Sequence, residues 1–134
     1  MEELFDFTKG SISETSFINC GNYAIDVSGT WFEIRDILID NAGDKDISVG
    51  EISSLTGENV RMVNSQICIA SKDLSEIDVS NVNLESSIVG FAAFQKKPEY
   101  GPASISANNL KINQIPIPYL IEKNSKITRY SLHW

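Results

Sequence analysis

The chain has only two cysteines and one histidine. Cys20 and Cys68 are too few for a disulfide scaffold, and His133 stands one residue from the C-terminus, a poor place to hold a ring against a nucleophile. No Cys and His spacing suits a metal, and no glycine-rich phosphate loop is present. No apolar run approaches the roughly 20 residues of a membrane span, which argues against membrane insertion. The opening MEELFDFTKGS lacks the basic and apolar regions of a signal peptide. There is no excess of positive charge either. A net charge of −7 argues against nucleic acid and against anionic membrane surfaces. Helical periodicity is missing as well, with no 3.6-residue stripe of helix length.

What is present is a repeat. Ile25-x-Val27 is followed 22 residues later by Ile47-x-Val49, 20 later by Ile67-x-Ile69, 22 later by Val89-x-Phe91 and 26 later by Ile115-x-Ile117. A period of this size implies a solenoid of stacked coils, here one domain over residues 1–134. Two more alternating patterns accompany the first. One is Phe32-x-Ile34, Leu55-x-Gly57, Ile77-x-Val79 and Ile105-x-Ala107; the other is Thr15-x-Phe17, Ile37-x-Ile39, Val60-x-Met62, Val82-x-Leu84 and Leu110-x-Ile112. Period-two alternation rich in β-branched residues marks strands. Three short strands per coil predict an all-β, single-stranded parallel β-helix of about five to six coils. The rarity of left-handed crossovers predicts the right-handed form.

The turn after the second pattern carries Asn19, Asn41 and Asn64 in phase, with Ser86 at the equivalent place. Stacked asparagines bond amide to amide; the alternative is turn chemistry alone. Phe5-x-Phe7 fits the third pattern at a step of 20, so the chain is expected to be an excerpt beginning mid-coil. Ile127, Tyr130 and Leu132 suggest a sixth, incomplete coil. An open coil end exposes core and strand edges, so self-association through the ends is an expected contact. Pro116 and Pro118 suit an edge or near-edge strand. Cys20 and Cys68 fall two coils, or ~10 Å, apart, beyond the ~7 Å of a disulfide, so two free thiols are expected.

Function is expected where the repeat breaks. The longest turn is Ala92–Ser104, which carries Phe94, Lys96, Lys97 and Tyr100, with Glu51, Lys72 and Asp73 expected below it and Tyr119, Glu122 and Lys123 above. Aromatic faces stack on sugars and lysines pair with carboxylates, so Phe94, Lys72, Lys96, Lys97 and Tyr100 are the candidate ligand residues for a polysaccharide or protein surface. The alternative is a solvated turn over one flank. Asp40, Asp44 and Asp46 make a second, acidic turn, the candidate for Ca2+, though the spacing matches no calcium loop and Lys45 intrudes. Carboxylates in adjacent coils meet the spacing of glycoside hydrolysis. That makes Asp26, Asp46 and Arg61 the candidate catalytic set, while Asp26, Ser48, Cys68 and Gly90 are expected to face outward on the third strand.

The pattern I-x-V-S-G-T, I-S-V-G-E and I-C-I-A-S-K-D, each preceded by an in-phase turn, resembles the right-handed parallel β-helix repeats of the pectin-lyase-like superfamily, over about residues 5–121. It is also similar to the repeat-bearing C-terminal segments of large exported bacterial proteins. The resemblance implies an extracellular or cell-surface setting and carbohydrate binding. Many such proteins are lyases or hydrolases of acidic polysaccharides; others are adhesins or spacers. The Asn-x-Asp, Asp-Asp and Gly-His-Gly motifs of the hydrolases are missing here. Three functions are therefore carried forward: a non-catalytic binding module, a polysaccharide lyase or hydrolase fragment, and a structural spacer that associates end to end.

Overall fold

The computed structural model describes residues 3–6, 9–122 and 124–130, with side chains placed over 9–122 and 124–129. These residues form a parallel β-solenoid of about five turns. Among them no helix is long and apolar enough to cross a membrane. Long strands β2 (Lys9–Ile18), β4 (Trp31–Asp40), β6 (Ser54–Val63), β8 (Glu76–Glu85) and β10 (Ser104–Asn113), with β12 (Lys126–Tyr130), form one six-stranded sheet. Short strands β1 (Glu3–Asp6), β3 (Tyr23–Ser28), β5 (Lys45–Gly50), β7 (Ile67–Lys72), β9 (Val89–Phe94) and β11 (Ile117–Ile121) form the other. Every strand pairs in parallel with its equivalent in the neighbouring coil.

The first two sequence patterns are the two halves of one ten-residue strand. Inward residues run Phe32, Ile34, then Ile37, Ile39, all buried, so the alternation skips a residue at Asp36. Asp36 has φ 56°, and its equivalents Glu14, Asn59, Asn81 and Asn109 have φ between 50° and 56°. A single left-handed residue bends the strand so that both halves face the core. After glycine, Asn and Asp tolerate that conformation best, and they stack: Asn59 Nδ2 donates to Asp36 Oδ1 at 3.0 Å, and Asn109 donates to Asn81.

Like stacks on like in the core. Phe32, Leu55, Ile77 and Ile105 share one column, and Ile34, Gly57, Val79 and Ala107 the next. Gly57 is small because a Cβ there would lie 2.8 Å from Ile34 Cγ1 and 3.1 Å from Val79 Cγ1. Two bulky neighbours thus share the space of one missing side chain, which keeps the column densely packed.

The register of the short strands differs from expectation. Ile25 pairs with Ile47, Ile47 with Ile69, Ile69 with Phe91, and Phe91 with Tyr119. The steps are 22, 22, 22 and 28, not 22, 20, 22 and 26. At the first strand Glu3 pairs with Ile25, again a step of 22, and Phe7 lies outside the described residues. The slip has a physical cause. Ile67 and Val89 are apolar yet lie in a small cluster separate from the main core. A strand apolar on both faces carries no signal against a two-residue shift.

Cys20 and Cys68 are free, as expected, and both are buried. Cys68 does not face outward, however. Cys68 and Ile69 both belong to the main core, and the ladder skips the pairs Asp46–Cys68 and Cys68–Gly90. A kink there turns two successive residues inward. Gly90 follows suit: a Cβ on it would be 3.4 Å from core Leu84.

Candidate functional site

Two turn columns join the sheets. The column after the long strands has a left-handed residue at the same place in every coil: Asn19, Asn41, Asn64, Ser86 and Gln114, at φ 49–63°. Its backbone is laddered, with Asn19 N–H donating to the Asp40 carbonyl and Asn41 N–H to that of Val63. The expected amide ladder forms between Asn41 and Asn19, Nδ2 to Oδ1 at 2.8 Å. It does not continue: Asn64 donates instead to Asp40 Oδ1 at 3.0 Å, and Ser86 pairs with Gln114.

Inside this column lie buried polar groups. Asp46 is fully buried, and Ser65 Oγ sits 2.6 Å from each carboxyl oxygen. Ser65 N–H in turn donates to Ser87 Oγ at 2.9 Å. Burial pushes the Asp46 carboxyl up to about 8; the Ser65 hydroxyl opposes this and the Asp40 carboxylate adds to it. Burial, then the neighbouring Asp46, pushes the Cys68 thiol up to about 12, against a bond from Ser87. Asp46 is therefore a carboxyl of the interior. Asp26 stands in register with Ser48, two positions along the strand from the Asp46 column. Asp44 pairs with Lys45 at 3.2 Å, and exposed Arg61 with Glu85 at 3.3 Å. Among the described residues no group of three or more His, Cys, Asp or Glu side chains is placed to hold a metal ion. His133 lies outside the described residues.

The second column, after the short strands, grows along the axis as far as β9 and shortens to four residues after β11. It spans two residues between β3 and β4, three after β5, three after β7, then nine (residues 95–103) after β9. A ladder of small hydroxyls runs through it. Thr30 N–H donates to Ser53 Oγ, Ser53 N–H to Ser75 Oγ, and Ala103 N–H to Ser125 Oγ. Ala103 thus regains the coil's geometry after the insertion, and Ser104 N–H donates to the Ser75 carbonyl at 3.0 Å.

The nine-residue loop is held from within and from below. Gln95 Nε2 donates to the carbonyls of Lys97, Pro98 and Tyr100, at 2.8 Å for the last. Buried Asp73 on the coil beneath accepts the backbone N–H groups of both Lys96 and Lys97, at 2.7 and 2.8 Å on one oxygen. Leu74 N–H donates to the Gly101 carbonyl at 3.0 Å. Gly101 lies close under Leu74: a Cβ there would come within 2.7 Å of Leu74 Cδ2, and that exposed side chain would have to shift. Lys97 Nζ meets Glu51 Oε1 at 2.8 Å, two coils down. That bond holds the Glu51 carboxyl below, and the Lys97 ammonium above, its ordinary value.

Of the five candidate ligand residues, three share the loop. Lys96 is exposed, Tyr100 is half-buried, and Lys97 is already paired with Glu51. Phe94 and Lys72 pair across adjacent strands on the outer face of the short-strand sheet. Phe94 packs there with Ile67, Ala70, Val89 and Ala92. Lys72 leans along its neighbour, its Cε 3.3 Å from where a Cβ on Gly50 would be. Burial holds its ammonium below the ordinary value, an effect that Lys45 and Lys96 reinforce and that Asp26 and Asp73 oppose. The expected neighbours below the loop, Glu51 and Asp73, do contact it. Tyr119, expected above it, instead stacks on core Phe91 at 6.0 Å with Arg129 over its ring. Lys123 lies outside the described residues. Comparison with family models, curated proteins and solved structures finds no match to the chain.

Proposed function

We propose that the chain is a non-catalytic β-helix module, of the pectin-lyase-like kind its repeats resemble, that binds carbohydrate through the 95–103 loop. The carrying observation is the loop's construction. Asp73 fixes two successive backbone N–H groups and Gln95 three carbonyls, so Lys96 and Tyr100 are presented on a framework that has already lost its freedom. A preformed site spends little binding energy on ordering. Tyr100 offers a ring face for a sugar and Lys96 a charge for a carboxylate. The weaker candidates for catalysis are engaged elsewhere, Asp46 with Ser65 in the core and Arg61 with Glu85, which favours binding over chemistry.

Titration of the intact chain against neutral and carboxylated oligosaccharides tests this. Lys96→Ala and Tyr100→Ala should each weaken a carboxylated ligand about tenfold, the loss of one good contact, with Lys96→Ala sparing neutral sugars. No binding at all, or binding that both variants leave unchanged, refutes the loop as the site.

A further inference from the structure

The outer face of the short-strand sheet carries a pattern that its fold does not require. Across β7, β9 and β11 three outward columns run Ile67, Val89, Ile117, then Ala70, Ala92, Leu120, then Lys72, Phe94, Glu122. The first two are read from the strand register. Glu122 completes the third because its N–H donates to the Ala93 carbonyl at 2.9 Å, as that of Ile117 does to Ile88. Ile67, Ala70, Val89, Ala92 and Phe94 form an apolar cluster of their own, apart from the core; Ala70, Ala92 and Val89 are already buried beneath it, and half-buried Ile67 and Phe94 are what it offers outward. Ile117 and Leu120 stand 42% and 50% exposed beside it.

About β9 this face is symmetric in apolar character and antisymmetric in charge. Lys72 lies one strand to one side of Phe94, and Glu122 one strand to the other. A surface meets its own copy across a twofold axis only when each group faces its complement. A twofold lying along β9 between two opposed sheets keeps strand direction and reverses coil order. It sets Lys72 of each copy opposite Glu122 of the other, Phe94 opposite Phe94, and Ile67 opposite Ile117. Sheets packed face to face sit ~10 Å apart, a gap that a lysine and a glutamate reaching toward each other bridge. A foreign partner would need no such antisymmetry.

We infer that two copies of this chain associate face to face through β7, β9 and β11, with reciprocal Lys72–Glu122 pairs flanking an apolar centre. In the single chain Lys72 leans over Gly50 toward Asp26; in the pair it lifts to the second copy. A patch three strands wide is at the small end of interfaces, so the dimer forms with rising concentration. The shared strand direction puts both 95–103 loops at one end of the pair, where they can engage a repeating ligand together. The inference stands whether or not that loop binds sugar.

Sedimentation of the full chain up to about 1 mM should show mass rising from 14.8 kDa toward twice that. Lys72→Glu and Glu122→Lys should each weaken association at least tenfold, because each sets like charges opposite one another twice. Mixing these two variants should restore it, since every facing pair is then of opposite sign. A chain that stays monomeric throughout, single variants that associate like the parent, or a mixture no better than its components would each overturn the inference.

Discussion

The two turn columns of this solenoid obey different rules. The column after the long strands stays at three or four residues, with one left-handed residue always in place; the column after the short strands runs from two residues to nine. The difference follows from where their side chains go. The first column sends Cys20, Ala42, Ser65 and Ser87 inward, so an added residue would displace the core. The second buries Thr30, Ser53, Ser75 and Ala103 just before the following strand, while the part ahead of them projects outward, as Ile52 and Leu74 do at 61% and 45% exposure. An outward turn can lengthen provided its own backbone groups find partners, which Gln95 and Asp73 supply.

The sharpest way to break the comparison is to disturb the inward column. Ser65→Ala removes the hydroxyl that bonds buried Asp46 and should cost about 3 kcal/mol in denaturant unfolding. The pH profile isolates the carboxyl itself. Its value is about 8 in the folded chain and an ordinary 3.8 when unfolded, so the folded state holds the extra proton between them. The Asp46 contribution is therefore full below about 4, falls as pH rises toward 8 by up to roughly 1.4 kcal/mol per unit, and levels off above. Subtracting an Asp46→Asn profile from that of the parent should expose this slope. A difference that is flat or rises with pH contradicts the assignment.

In the outward column, Asp73→Gly keeps the left-handed backbone and deletes the acceptor for Lys96 and Lys97. We expect a loss of about 2 kcal/mol and protease cleavage confined to residues 95–103. Cleavage elsewhere in the chain would mean the loop does not depend on this anchor. A gentler probe is Asn41, at φ 63°: Asn41→Ala should cost about 1 kcal/mol and Asn41→Gly less, and equal costs would show that the amide bond to Asn19, rather than the backbone, matters there. Smallest of all, Ile52→Gly should be neutral or stabilising by up to about 0.5 kcal/mol. A branched, exposed side chain at φ 59° pays for itself with nothing in the single chain.

Most of the fold was legible because the long strands bury one face only. Phe32, Ile34, Ile37 and Ile39 with their equivalents gave correct columns. The bend was legible too, in Asp36, Asn59, Asn81 and Asn109, but only to a reader counting polar residues instead of apolar ones. The short strands were misaligned at Ile67 and again at Ile115 because both their faces are apolar there. Of the candidate site, the long loop and its partners Glu51 and Asp73 were visible as an interruption of the period. Neither the anchoring geometry nor the inward turn of Asp46 and Cys68 could be read: the first rests on side chains bonding loop backbone and the second on a kink, and period-two counting encodes neither.

The serine ladder that resumes at Ala103 has a consequence for engineering. Lengthening the coil from 22 residues to 28 raises the entropy of closing it by roughly 0.2 kcal/mol. The neighbouring coils keep their pairing because Ser104 still bonds to Ser75. Residues 97–100 are thus a natural splice point: a foreign peptide inserted there would be displayed at a fixed height on a rod of ~4.8 Å pitch, with the rest of the coils left in register.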